Sequence, residues 1–107
     1  SILGKMSRNK GKVGEREIVN ILKSYGFECR RGQQYCGTET SADVVGLDGI
    51  HIECKRVEKL NLKKAMEQAQ RECGENKPCV MHRANREEWK VTMLLKDWIE
   101  LYKKYKE

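Results

Sequence analysis

From Val13 to Tyr25 the apolar residues Ile18, Ile21, Leu22 and Tyr25 recur at i, i+3, i+4 and i+7, the spacing of a helix laid on a core, and Gly26 ends it. Phe27 to Arg31 is short and turn-bounded and reads as a strand. Residues 32–42, rich in Gly, Gln, Thr and Ser, read as a loop. Asp43 to Leu47 and Ile50 to Arg56 are Val- and Ile-rich runs joined at Asp48-Gly49, a hairpin signal. Asn61 is placed to cap a second helix whose Leu62, Ala65, Met66, Ala69 and Cys73 share one face, with Gly74 closing it. After Pro78, Cys79 to Arg83 and Trp89 to Leu94 read as strands around a polar turn. A last helix, from about Lys96 to Tyr105, carries Trp98, Ile99, Leu101, Tyr102 and Tyr105. The order αβββαββα predicts a mixed α/β (α+β) chain, with a central mixed β-sheet flanked by helices.

At 107 residues the chain reads as a single domain. Within it, 1–12 form a flexible basic arm, and 1–5, ahead of Met6, read as a remnant outside the fold. An excess of 22 Lys and Arg over 16 Asp and Glu gives a net charge of +6 and favours a phosphate-rich partner. Five cysteines, Cys29, Cys36, Cys54, Cys73 and Cys79, follow no signal peptide, which predicts free thiols in a reducing, cytoplasmic setting. Their spacing lacks C-x-x-C, which disfavours structural zinc and thiol-redox chemistry alike. Apolar runs are far shorter than the roughly 20 residues of a membrane span.

Alternation along Ile50 to Arg56 puts His51, Glu53 and Lys55 on one face and Ile50, Ile52 and Cys54 on the other. Such a triplet is usually a solvated face. Asp43 changes that, provided the hairpin register is right. A two-residue turn would set Asp43 opposite Cys54, facing away from Glu53. A three-residue loop of Leu47, Asp48 and Gly49, with glycine left-handed, pairs Asp43 with Glu53 on one face, and this second geometry is the one expected. Two converging carboxylates and a nearby main-chain carbonyl make an oxygen site suited to Mg²⁺ or Mn²⁺. Lys55 beside it adds a compact positive charge. On the first helix Glu15 lies in line with Ile18, Val19 and Leu22, the row that must face the sheet, whereas Glu17 leads a wetter row.

Gly14-Glu15-Arg16-Glu17 on a helix, Gly26-Phe27, Asp43 and Glu53-Cys54-Lys55, in that order, resemble the PD-(D/E)XK nuclease superfamily. The likeness is greatest to its small Holliday-junction-resolvase branch, phage-type members included, and runs from about Lys10 to Trp98. The resemblance implies a restriction-endonuclease-like fold and an intracellular, divalent-metal-dependent DNA endonuclease of recombination. It assigns Glu15 as the helical acid, and Asp43, Glu53 and the Cys54 carbonyl as ligands of Mg²⁺, for which Mn²⁺ substitutes, with Glu15 completing the shell. Lys55 becomes the catalytic lysine, Gln68 a water- or substrate-holding glutamine, and Arg16 and Arg31 basic positions near the scissile phosphate. Ala42 stands where many members have proline before the acid.

DNA, branched or duplex, is the implied partner. The run Lys5, Arg8, Lys10 and Lys12 carries no acid and reads as an arm that draws in phosphate, with Arg83 at a strand end near the same edge. Trp89, Trp98, Tyr102 and Tyr105 read as core or dimer contacts, and paired cuts favour a homodimer. The alternative is a nucleic-acid-binding module that keeps the fold and does not cut; incubation with junction DNA and Mg²⁺ separates the two.

Overall fold

The computed structural model describes residues 2–32 and 42–107. Its elements run α1 (Ile2–Ser24), β1 (Arg30–Arg31), β2 (Val44–Val45), β3 (Ile50–Arg56), α2 (Leu62–Glu72), β4 (Lys77–Arg83), β5 (Lys90–Met93) and α3 (Leu95–Tyr105). The expected order is therefore the observed one. The five strands form one sheet in sequence order, with β3 and β4 parallel, connected through α2, and the other pairs antiparallel.

The hairpin register decides which way Asp43 faces. Val44 pairs with Ile52, and the Asp43 N–H donates to the Ile52 carbonyl at 2.9 Å. Leu47, Asp48 and Gly49 make the three-residue turn, closed by Ile50 N–H to the Leu47 carbonyl, with Gly49 at φ +84°. That left-handed position carries little cost only for glycine. Asp43 consequently falls opposite Glu53.

The two sheet faces bury different things. Val44, Ile52, Cys54, Cys79 and Met81 pack with Ile18 and Val19 of α1 and with Cys29. Val80 on the other face packs with Ala65, Met66 and Ala69 of α2. Gly14 lets α1 lie close on β3, since a Cβ there would meet the Arg56 Cβ at 2.9 Å and the Cys54 Sγ at 3.3 Å. Because contact runs along that glycine line, Ile18 and Val19 are buried, whereas Ile21 and Tyr25, expected on the packed row, are exposed. Tyr25 also lies past the helix end. There Gly26 N–H donates to the Lys23 carbonyl and Phe27 N–H to the Leu22 carbonyl, a Schellman turn.

Two further expectations are corrected, and a third, that the α3 aromatics are core or dimer contacts, loses its first alternative. Helix α1 begins at Ile2, so the segment read as a flexible arm is helical, continuous with the helix that carries Glu15. Strand β4 begins at Lys77 and includes Pro78. A proline is tolerated there because pairing with β5 starts only at Cys79. Helix α3 does not deliver its aromatic residues to the core: Trp98, Tyr102 and Tyr105 are exposed, with the Trp98 and Tyr102 rings stacked at 5.3 Å. Residues 33–41, including Cys36 and most of the stretch read as a loop, lie outside the described residues. The four described cysteines are free, and burial pushes the Cys54 and Cys79 thiols up to about 12, so these two serve as small apolar core residues. No described helix is long and apolar enough to cross a membrane.

Candidate active site

Strand β3 is the axis of the site. Its Glu53 and His51 point to the α2 face, yet both are buried, with 2% and 4% of their surface exposed. A carboxylate in such a place needs partners. Glu53 Oε1 lies 2.7 Å from His51 Nε2. Asp43, across the register, is anchored differently: its Oδ2 accepts from the Cys54 main-chain N–H at 2.8 Å. From α1, Glu15 reaches the same region and accepts from Arg31 Nε at 3.0 Å. Lys55 Nζ stands 3.5 Å from Gln68 Oε1 of α2, a long contact that puts both polar ends in one place.

These side chains line a cleft of about 620 Å³ whose wall includes Lys12, Glu15, Arg31, Asp43, Glu53, Lys55 and Gln68. Of the residues singled out in the sequence, the cleft thus gathers the three acids, the lysine, the glutamine, the Cys54 position, Lys12 and Arg31. Arg16 is exposed on α1 outside it. The Lys10 side chain lies outside the described residues. Arg83 is not brought to the cleft: its Nη2 donates to Glu17 Oε1 at 2.7 Å, and its guanidinium lies over the Trp89 ring, 5.6 Å from the centroid. Its proximity to the Glu53 end of the sheet is real, since Arg56 and Arg83 pair in register, but the charge is already matched by Glu17.

Two neighbours of Glu53 go beyond the residues that sequence reasoning assigns to the site. Alternation puts His51 on the right face, and its spacing of two from Glu53 is the signal that they touch. Glu72, at the last turn of α2, carries no such signal. His51, Glu53 and Glu72 each bring one ligand atom within 4.8 Å of the others. Burial pushes the Glu53 carboxyl up to about 7, with the nearby Asp43 and Glu72 adding to the rise and the His51 hydrogen bond opposing it. Burial likewise raises Glu15, opposed by its bond to Arg31. Acids held together against their mutual repulsion form a place where a cation is favoured, and the all-oxygen donors of Asp43, Glu53 and the strand carbonyls suit a hard divalent ion.

The family model described as archaeal Holliday junction resolvase (Hjc) matches residues 6–104. Among solved structures, Archaeoglobus fulgidus Hjc, described as a Holliday junction resolvase from an archaeal hyperthermophile, is similar at 25% identity with a TM-score of 0.57. The match covers 78% of this chain and 72% of that one. No curated protein matches. With nearly its whole length matched to that family and its sheet shared with a solved member, the chain belongs to the archaeal Holliday junction resolvases and is a metal-dependent, structure-selective DNA endonuclease.

Proposed function

We propose that this chain cuts four-way DNA junctions with Mg²⁺ as its working ion, held by Asp43, Glu53 and the Cys54 carbonyl, with Glu15 completing the shell. The observation that carries this reading is the Val44 to Ile52 register, which sets Asp43 opposite Glu53 in the cleft that also holds Glu15 and Lys55. When bound, the ion polarises a phosphate and lowers the pKa of water. Lys55 orients or deprotonates the attacking water and offsets charge that builds on the phosphate. Gln68, facing Lys55, holds its Nζ toward the cleft. Arg31 commits its Nε–H to Glu15, and the remaining N–H groups of its fork, which have no hydrogen-bond partner among the described residues, suit a phosphate oxygen. Lys12 at the rim, with Lys10 and Arg16 on the same helix, draws the backbone in.

A homodimer fits this chemistry, because a junction is resolved by two symmetric cuts. It would also cover α3, whose Leu95, Trp98, Tyr102 and Tyr105 are exposed. Purified chain is incubated with four-way junction, flap, linear duplex and single-stranded DNA, with Mg²⁺ or EDTA, beside Glu53→Gln and Lys55→Ala. Junction cleavage in Mg²⁺ that both substitutions abolish is expected. Binding without a cut in Mg²⁺ or Mn²⁺ would overturn the reading, and equal rates on linear duplex would remove the junction preference.

A further inference from the structure

Asp43 and Glu53 face each other across the hairpin, and each has one oxygen tied back to strand β3. For Asp43 the tie is the Cys54 N–H, which any residue at that position would supply. For Glu53 it is the His51 imidazole, a side chain specific to this sequence, at 2.7 Å. The contact is almost dry, and His51 lies in register beside buried Pro78 of β4. Pulling against it are two like-charged neighbours, Asp43 and Glu72. A carboxylate between two acids would turn away from at least one of them unless a donor fixed it. With Glu53 ionised, Nε2–H donates to Oε1 and leaves the other oxygen for the cleft.

From this geometry we infer that His51 is a positioning residue of the metal centre: its Nε2–H sets the rotamer of Glu53 so that the carboxylate meets an ion together with Asp43. The inference rests on the reading of Asp43 and Glu53 as ion ligands. His51 itself does not ligate. Its Nε2 is engaged with Glu53, and the imidazole acts as the outer group that orients a ligand.

Two amide substitutions separate reach from polarity. In His51→Gln the side-chain nitrogen falls near the position of Nε2; in His51→Asn it stops near Nδ1, one bond short. Mn²⁺ binding to the full chain without DNA is followed by the loss of free-ion electron paramagnetic resonance signal. Thermal melting in EDTA and junction binding in EDTA serve as companions. The Asn variant is expected to bind Mn²⁺ ten- to a hundredfold more weakly and the Gln variant within about threefold of wild type. Both should melt alike and bind junction DNA in EDTA within about twofold of wild type. Equal Mn²⁺ affinity in all three proteins, or equal loss in both variants, overturns the inference. So does ¹⁴N hyperfine coupling on bound Mn²⁺ in the wild type, which would make the imidazole a ligand. Wild-type chain that binds no Mn²⁺ would strike instead at Asp43 and Glu53 as ligands.

Discussion

Helix α1 sends one acid to each of two charged clusters at the same end of strand β3, and the clusters are opposites. Glu17 sits between two guanidinium groups, Arg56 and Arg83, at 2.7 Å from each. Glu15 enters a cleft where Asp43 and Glu53 already lie, with Glu72 against Glu53. Among the described residues, the only guanidinium or ammonium ion-paired with any of these four acids is Arg31, on Glu15. The first cluster pairs its acid with both guanidinium groups and ties α1 to β3 and β4. The second holds Asp43, Glu53 and Glu72 close together with no lysine or arginine ion-paired to them among the described residues, an arrangement that weakens the fold and favours a cation. Of these two clusters, the one that gathers acids without pairing them marks the site, and the one that pairs its acid marks the scaffold.

The largest contrast should appear in activity. Glu53→Gln should lower junction cleavage at least a thousandfold, since it removes a ligand and a charge that act as a unit, while junction binding in EDTA changes little. Single-turnover cleavage and gel-shift titration measure the two. A loss in binding equal to the loss in cleavage would erase the distinction between site and scaffold.

Stability should move the other way. Glu53 ordinarily titrates at 4.5 and is pushed up to about 7 in the fold. Between those values the folded, ion-free chain keeps a proton that the unfolded chain has released. The stability due to that proton is full below 4.5 and is lost as pH rises through about 7. Gln is neutral throughout, so in EDTA at pH 8 Glu53→Gln should be more stable than wild type by on the order of 3 kcal/mol. The gap should close toward pH 4. Urea unfolding across pH checks both sign and window.

In the paired cluster, Glu17→Ala strands Arg56 and Arg83 in half-buried positions and should cost about 1–2 kcal/mol, with cleavage per folded molecule unchanged within about threefold. The smallest effect belongs to the rim. Lys12→Ala should weaken junction binding a few-fold and reduce the slope of log affinity against log salt by about 0.9. A salt slope equal to wild type would take Lys12 out of the phosphate contacts.

Much of this architecture is legible in the chain, for physical reasons. Strand alternation and glycine's freedom at a left-handed turn fix the hairpin register, so Asp43 opposite Glu53 follows from Leu47-Asp48-Gly49. The inward row of α1 singles out Glu15 over Glu17 because the row shared with Ile18 and Val19 must meet the sheet. The illegible part depends on contacts between distant segments. Nothing in the spacing of Arg83 announces that Glu17, 66 residues earlier, has claimed it. Glu72 ends a helix at a point set by how α2 packs over Val80, not by its own neighbours. The exposed aromatics of α3 follow helical periodicity as a core face would, and periodicity does not say whose core it is.

The proposed divalent-cation site is built by the register of one hairpin, which sets Asp43 opposite Glu53. Crystals of the wild-type chain grown with Mn²⁺ and measured at an energy where manganese scatters anomalously test it most directly. A single strong peak about 2.0–2.3 Å from oxygens of both Asp43 and Glu53 is predicted, and its disappearance in Glu53→Gln. A peak coordinated by His51 and Glu72 without Asp43, or no peak in the cleft, would contradict that claim.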